Sequence, residues 1–261
     1  MRKLLFVFGT RPEAVKLCPL VSHLQQDPAF EVQICVTAQH RQMLDQVLAA
    51  FAVRPDRDLD LMQPGQSLAQ STARMMAGLD PVLASESPDM VIVQGDTTTT
   101  LCGALAAFYR RIPVAHVEAG LRTHDPLQPF PEEINRVLTT RIAALHFAAT
   151  QGAAGNLLAE GVKPENIAVT GNTGIDAVLQ VRDGLDRGRL QSLALPAIDG
   201  EKKLVLVTAH RRESFGEGFE QICRALAAIA SKPGVQVVYP VHPNPNVQDP
   251  VNRLLARHPG V

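Results

Sequence analysis

Residues 3–16 read KLLFVFGTRPEAVK, and this stretch contains the unit that decides the fold. An apolar run at 4–8 ends at Gly9 and passes into a polar cluster that starts a helix-like stretch. Four later apolar runs also end in polar clusters, at 90–93, 114–117, 167–170 and 204–207. Such runs are typical of buried parallel strands, and the carboxyl ends of these strands border the ligand crevice in open α/β sheets.

The polar clusters supply both cations and carboxylates to the same predicted crevice. The candidates that follow the apolar runs are Arg11, Lys16, Asp96, Glu118 and His210. Cations suit an anionic ligand, because charge-assisted hydrogen bonds hold phosphate and carboxylate oxygens strongly. Carboxylates suit proton transfer. The pattern therefore indicates a site for acid–base chemistry on an anionic substrate.

Composition excludes several other classes of function. The chain has 261 residues and a formal net charge of −1, so it has no strongly basic field for nucleic acid or for an anionic membrane. The first apolar run is too short for a signal peptide or a membrane span. We expect a cytoplasmic protein. The four cysteines are widely spaced without a CxxC pair, which predicts small buried side chains and neither a disulfide nor a metal site.

Strands and helices alternate along most of the chain. Strands are predicted at 3–8, 32–36, 90–93, 114–117, 145–148 and 167–170. Helices are predicted at 12–26, 42–51, 67–84, 97–109, 132–142 and 153–160. Six strands with helical crossovers make a doubly wound parallel unit. A helix at 174–187 and a polar linker at 195–203 follow, then a second βαβ pattern at 204–207, 218–230 and 235–241, and the start of a helix at 251–258.

These patterns predict two domains. Residues 1–170 form a complete Rossmann-like unit, and residues 171–261 contain a linker and an incomplete second unit. About 60 residues with two strands bury too little apolar surface for a robust independent domain.

Each polar motif also has a simpler interpretation when it is taken alone. Asp96 precedes four threonines and fits a helix N-cap as well as a catalytic acid. His116 and Glu118 form the HxE triplet of zinc deaminases, but the PCxxC partner is missing, so no metal is predicted. The chain also lacks a GxGxxG after its first strand, a GxxxxGK[ST] and a GxSxG. Their absence argues against a dinucleotide-binding enzyme, a P-loop phosphotransferase and a hydrolase with a nucleophile elbow.

Taken together, the motifs carry a specific resemblance. They are FGTRPEAVK, TAQHRQMLDQVL, GDTTTT, HVEAGLRT, PFPEEINR, TGNT.ID and VTAHRRESFG, in this order. They closely resemble the bacterial non-hydrolysing UDP-N-acetylglucosamine 2-epimerases, over essentially the whole chain. The resemblance implies a glycosyltransferase-B-like α/β fold of two Rossmann-like units with parallel sheets. It also implies a homodimer without metal or nicotinamide.

The resemblance implies a reaction and roles for the residues. The family interconverts UDP-GlcNAc and UDP-ManNAc through UDP and a 2-acetamidoglucal, which supplies ManNAc-type sugars for cell-surface polysaccharide. In this sequence the matching acid–base residues are Asp96, Glu118 and Glu132, in the first domain. His210 matches the histidine near the departing UDP, in the nucleotide-binding second domain, and Arg11 and Lys16 match substrate-binding residues. Glu133 adjoins Glu132, but successive helical side chains point about 100° apart, so only one of the two is expected to reach the sugar.

Some members of the family bind a second UDP-GlcNAc that activates them. The matching positions here are Gln39, Gln42, Arg211, Glu213 and His242. A polar start of a helix explains Gln39 and Gln42 equally well.

The sequence departs from the family at its C-terminal end. The family's Ser-Gly-Gly loop, the Glu pair after it and the helix that returns to the first domain have no counterpart in these residues. The chain is therefore truncated relative to the family, and we expect residues 1–261 alone to have negligible epimerase activity.

Three alternative functions stay open at this point. The first is a hydrolysing 2-epimerase that releases ManNAc and UDP. The second is a glycosyltransferase of the same architecture, which the three carboxylates disfavour. The third is a catalytically inactive fragment that only binds nucleotide.

Overall fold

The computed structural model describes residues 1–38, 41–63, 65–190, 197–211, 214–242 and 244–261, without the side chains of Arg41 and Gln42. The chain divides into two compact units, Met1–Gln191 and Ser192–Val261. The helix at Thr173–Asp186 packs against the helix at Arg11–Leu24, so it is part of the first unit.

The first unit alternates strands and helices. Its strands are β1 (Arg2–Phe8), β2 (Phe30–Val36), β3 (Arg57–Asp58), β4 (Met90–Gln94), β5 (Val114–Ala119), β6 (Leu145–Ala148) and β7 (Ile167–Val169). Its helices are α1 (Arg11–Leu24), α2 (Arg41–Ala50), α3 (Leu68–Glu86), α4 (Thr98–Tyr109), α5 (Glu132–Ile142), α6 (Gln151–Ala159) and α7 (Thr173–Asp186). A short 3₁₀ turn at Pro164–Asn166 precedes β7.

The strands form one parallel sheet in the order β3-β2-β1-β4-β5-β6-β7. The order reverses between the neighbouring strands β1 and β4, and doubly wound sheets bind their ligands at such a point. The doubly wound unit predicted from the apolar runs is thus confirmed. The carboxyl ends of β1, β4, β5 and β7 meet along one edge, and this edge carries the site described below.

The core explains why β1 reads as a continuous apolar run. Leu4, Phe6 and Phe8 pack into the cluster beneath α1 and α2. Leu5 and Val7 point to the opposite face and pack with residues of α3 and α4. A strand that is covered on both faces needs apolar side chains at every position.

The second unit contains β8 (Lys203–Leu206), α8 (Glu217–Ala230), β9 (Val235–Val238) and α9 (Pro245–Leu254), with β8 and β9 parallel. Its core lies between the two helices and includes Phe219, Cys223 and Val251. Leu206 is 68% exposed, so one side of β8 is uncovered.

The start of α9 corrects one prediction. The sequence pattern predicts this helix from 251, but the helix begins at Pro245. The Asn244 side chain accepts a hydrogen bond from the backbone N of Asn246 at 2.9 Å, and Pro245 takes the first position, where a missing N–H costs nothing.

All four cysteines lie buried, as predicted. Burial raises the pKa of the Cys18 thiol to about 12, and that of Cys102 equally, so neither ionises near neutral pH. In the part of the chain that the structure describes, no helix has the length and apolar character needed to cross a membrane.

Candidate active site

Four predicted residues come together at the carboxyl edge of the first sheet. Lys16 lies on α1, Asp96 in the turn after β4, Glu118 near the end of β5 and Glu132 at the start of α5. Lys16 and Glu118 form an ion pair. The charges of Glu132, Glu118 and Lys16 all act on the carboxyl group of Asp96. The edge therefore brings three acidic groups together with the cation Lys16.

Glu118 has an unusual backbone and an extensive set of hydrogen-bond partners. Its φ is +62°, in the left-handed region that non-glycine residues rarely adopt, and the pairing of β5 with β6 shifts register between Val117 and Ala119. Such bulges re-aim a side chain at functional sites. The Glu118 carboxylate accepts hydrogen bonds from Lys16 and Gln94, and from Asn172 Nδ2 at 2.8 Å. Three donors from three elements thus fix its orientation.

Asp96 is not the cap of the helix that follows it. Thr97 caps α4, because its hydroxyl accepts the backbone N–H of Thr100 at 3.1 Å. The backbone oxygen of Asp96 instead accepts from Asn135 Nδ2 at 2.9 Å, and its carboxylate lies 3.3 Å from Arg136 Nη1. The carboxyl group of Asp96 therefore pairs with Arg136 and does not cap α4.

The surroundings of Asp96 raise its pKa above the ordinary value. Burial is the largest cause, and the negative charges of Glu132 and Glu118 act in the same direction. Arg136 and Lys16 oppose the increase. A carboxyl group with a raised pKa can hold a proton and deliver it, as a general acid must.

The two adjacent glutamates of α5 differ in their environments. Glu133 is only 3% exposed and pairs with Arg136, one turn further along the helix. Burial raises the pKa of Glu133, but hydrogen bonds from Arg136 and from the backbone of Thr123 and His124 outweigh it, so the net pKa is lowered. Glu132 is half-buried. Glu132 is thus the one of the pair that is left to reach a ligand.

The buried carboxylate of Glu13 links the turn before α1 to the turn before α4, which contains Asp96. Glu13 accepts hydrogen bonds from the backbone N of Gly9 at 3.0 Å and of Thr10 at 2.7 Å. It also accepts from the hydroxyls of Thr97 at 2.7 Å and Thr100 at 3.3 Å. Burial raises the pKa of Glu13, and these hydrogen bonds oppose the increase. Glu13 therefore ties the start of α1 to the start of α4.

His116 belongs to the framework of the site. It is fully buried, and burial lowers its pKa to about 4, so the imidazole is neutral. Its Nε2 donates to the carbonyl oxygen of Gly95 at 2.7 Å, which holds the turn before Asp96. Across the described residues, no group of three or more His, Cys, Asp or Glu side chains is placed to hold a metal ion.

Two predicted residues of the second unit also lie side by side. The rings of His210 and His242 stack with their centroids 5.2 Å apart and an interplanar angle of 13°. Arg211 follows His210 and is exposed. Gln39, Glu213 and the side chain of Gln42 lie outside the described residues.

Arg11 is exposed in the first turn of α1, at the same sheet edge as Lys16. The motifs taken singly did not predict the residues that contact the catalytic candidates, or Glu13, which links the turns beside them: Glu13, Gln94, Asn135, Arg136 and Asn172. Four of these stand inside the quoted motifs or beside one, at 8–16, 95–100 and 129–136, and Asn172 stands in TGNT.ID. Their place inside or beside the motifs is the sequence feature that could have identified them as part of the site.

Comparisons with known proteins identify the family of the chain. The family described as UDP-N-acetylglucosamine 2-epimerase matches residues 22–261. The UDP-N-acetylglucosamine 2-epimerase of Salmonella typhimurium is 59% identical over 258 residues, covering 97% of this chain and 69% of that protein.

Solved structures with a similar fold include a member of the same family. A UDP-GlcNAc 2-epimerase from Neisseria meningitidis, crystallised with UDP-GlcNAc, has a TM-score of 0.90 and 44% identity over 99% of this chain and 71% of its own. An S. aureus protein solved with UDP has a TM-score of 0.86 and 43% identity over 100% of this chain and 68% of its own. The predicted glycosyltransferase-B-like α/β fold is confirmed. The chain belongs to the UDP-N-acetylglucosamine 2-epimerase family, a family of isomerases.

Proposed function

We propose that the enzyme interconverts UDP-GlcNAc and UDP-ManNAc without net hydrolysis, by elimination and re-addition of UDP. A base removes the proton from C2 of the sugar while the C1–O bond to UDP breaks and the phosphate oxygen keeps the electron pair. The products are UDP and a 2-acetamidoglucal with a C1–C2 double bond. Protonation of C2 on the opposite face, with return of UDP to C1, gives the epimer.

This sequence of steps needs acid–base groups on both faces of the sugar, because the proton leaves one face and returns to the other. We assign the proton donor to Asp96, the carboxyl group whose burial raises its pKa. Glu118 and Glu132 supply the remaining acid–base capacity. Negative charge near C1 also stabilises the oxocarbenium character that develops when the C–O bond breaks.

The leaving diphosphate needs positive charge. We assign Arg11 and Lys16 to substrate binding from the first unit, and His210 to the departing UDP from the second. Guanidinium groups match phosphate oxygens in geometry as well as charge. The assignment of acid–base chemistry to the first unit, which includes α7, and of nucleotide binding to the second unit belongs to the same proposal.

One observation carries the proposal: a carboxyl group with a raised pKa stands within electrostatic reach of two further carboxyl groups and a lysine. Active sites are where burial and like charges are arranged to shift pKa values in this way, so the arrangement favours an enzyme over a binding module.

Exchange of the C2 proton with solvent tests the mechanism. The complete reading frame is expressed, UDP-GlcNAc is incubated with the enzyme in D₂O, and proton NMR follows the C2–H signal. We expect deuterium at C2 in UDP-ManNAc and in recovered UDP-GlcNAc. The Glu118→Gln variant under the same conditions controls for exchange without the enzyme's chemistry. Formation of the epimer with full retention of C2–H would rule out elimination.

The same spectra separate the hydrolysing alternative. A hydrolysing enzyme accumulates free ManNAc, and UDP in equal amount, until UDP-GlcNAc is consumed. A non-hydrolysing enzyme reaches a constant ratio of the two UDP-sugars. We expect the constant ratio.

We further propose a homodimer. Large apolar side chains of the first unit are exposed, among them Phe108 at 57% and Tyr109 at 68%, and patches of this kind are typical of interfaces. Sedimentation velocity is expected to give the mass of a dimer at micromolar concentration. A monomer at that concentration would contradict the proposal.

Three other assignments complete the proposal. The enzyme acts in the cytoplasm, where UDP-sugars are made, and supplies ManNAc-type sugars for cell-surface polysaccharide. Arg211 and His242, with Gln39, Gln42 and Glu213, are assigned to a second, activating UDP-GlcNAc pocket. The stacking of His242 on His210 supports a connection between that pocket and the reaction.

A further inference from the structure

A chain of hydrogen-bonded charges connects the core of the first unit to Asp96. Arg136 donates to the Glu133 carboxylate through Nε at 2.7 Å and through Nη2. The third nitrogen of the same guanidinium, Nη1, lies 3.3 Å from Oδ2 of Asp96. One planar group therefore joins a buried carboxylate to the residue that we assign as proton donor.

Glu133 is held from its other side by the backbone. It accepts from the N of Thr123 at 3.1 Å and from the N of His124 at 3.0 Å. Its own exposure is 3%, and the Arg136 side chain is 9% exposed. Because both partners are shielded from water, their mutual attraction is weakly screened. The position of the guanidinium is thus set before any substrate binds.

We propose that Glu133 is a positioning residue for the proton transfer at Asp96, which it serves by fixing the Arg136 guanidinium and cancelling part of its positive charge. This inference rests on the proposed role of Asp96. Among the described residues, no hydrogen bond joins Glu133 directly to Asp96. Glu133 therefore acts through Arg136, which contacts both.

The direction of the effect follows from the groups that face Asp96. They are Arg136 and Glu132 from α5, Glu118 from β5 and Lys16 from α1. Burial raises the pKa of Asp96, and the charge of Arg136 is the largest influence that lowers it. A guanidinium partly neutralised by Glu133 lowers the pKa less than a free one. Glu133 therefore helps Asp96 to keep its proton at higher pH.

Two substitutions should move the titration of Asp96 in opposite directions. Glu133→Gln keeps a side-chain oxygen that can accept from Arg136 but removes the negative charge. Arg136 then acts on Asp96 with its full charge, so the pKa of Asp96 should fall by roughly 1 unit, the size of shift that a nearby opposite charge produces. Arg136→Gln removes the cation, so the pKa should rise by a similar amount. Asp96 is followed by NMR of the 261-residue chain with ¹³C-carboxyl-labelled aspartate, and Asp96→Asn identifies its signal.

Activity should follow the same directions. In the complete reading frame, a group that acts as an acid loses function as pH rises through its pKa. The pH at which kcat/KM falls on the high-pH side should therefore be lower in Glu133→Gln and higher in Arg136→Gln than in the unaltered enzyme. A residue that only supports folding would lower activity at all pH values without moving the pH of this fall.

The double variant Glu133→Gln/Arg136→Gln provides the matched control. If Glu133 acts only through Arg136, the double variant should titrate like Arg136→Gln. It also leaves no unpaired buried charge, so it remains informative if Glu133→Gln fails to fold. Asp96 titrations that shift in the same direction in both single variants, or in neither, would overturn the proposal. If Asp96→Asn keeps the fall of kcat/KM on the high-pH side, the proton-donor assignment fails instead, and the NMR titration still tests the link between Glu133 and Asp96.

Discussion

Asp96→Asn, Glu118→Gln and Glu132→Gln are each expected to slow turnover by roughly 10²–10⁴-fold, the usual contribution of a general acid or base. The affinity for UDP should change much less, because the cations assigned to the diphosphate are left in place. Turnover is measured by NMR on the complete reading frame, and UDP binding by calorimetry.

Among the three, Glu118→Gln should lie at the upper end of this range. The Glu118 carboxylate accepts from Lys16, Gln94 and Asn172, and an amide offers only one oxygen to the three donors. One donor is then left facing an NH₂ group, so the orientation of the side chain is lost together with its charge. Asp96→Asn keeps its backbone contact with Asn135 Nδ2, so its effect should come mainly from the lost proton.

Glu165→Gln is the matched control, since Glu165 is exposed on the 3₁₀ turn before β7. Its turnover should equal that of the unaltered enzyme. If UDP affinity collapses in the three site variants while bound substrate still turns over, these carboxylates bind or stabilise and do not transfer protons.

The alternation of strands and helices could be predicted because both faces of the sheet are covered. A strand that is covered on both faces then needs a largely apolar run, which the order of residues shows directly, as at residues 4–8. β3 could not be found in this way: Arg57 and Asp58 are both exposed, and the strand has only two residues. It is defined by pairing with β2 rather than by any pattern of its own.

The catalytic candidates could be placed at one sheet edge, but their partners could not. Strand order brings Asp96 and Glu118 together, since β4 and β5 are neighbours and parallel. The link from Glu133 to Asp96 depends on the rotation of α5 about its axis, which the spacing of 133 and 136 does not fix. Sequence spacing shows only that residues three apart share a helical face. The positive φ of Glu118 also has no sequence signal, because glutamate rarely adopts it.

Gly120→Ala is expected to lose more stability than two other glycine-to-alanine variants, Gly161→Ala and Gly155→Ala. The backbone at Gly120, two residues after Glu118, has no room for a side chain. An added Cβ would lie 2.2 Å from the carbonyl oxygen of Ala153 and 3.0 Å from Cγ of Leu157. The nearer atom is backbone of α6 and cannot rotate away. The φ of Gly120 is +89°, which adds strain for any L residue.

Two other glycines separate the causes of this loss. Gly161 has φ +84° with nothing within 4 Å of an added Cβ, so Gly161→Ala measures backbone strain alone. Gly155 lies inside α6 with equally open surroundings, so Gly155→Ala should be neutral or stabilise by up to about 1 kcal/mol. We expect Gly161→Ala to cost about 1–3 kcal/mol and Gly120→Ala on the order of 4 kcal/mol, since overpacking adds to the strain.

The measurement is denaturant unfolding of the three variants, followed by circular dichroism. Gly120 also anchors α6 through its carbonyl oxygen, which accepts from Asn156 Nδ2 at 2.9 Å. A displaced Gly120 would therefore disturb both α6 and the end of β5 that orients Glu118, so turnover should fall along with stability. A Gly120→Ala variant as stable as Gly161→Ala would show that α6 can move away from the sheet, and that the close approach at Gly120 is not what holds Glu118 in position.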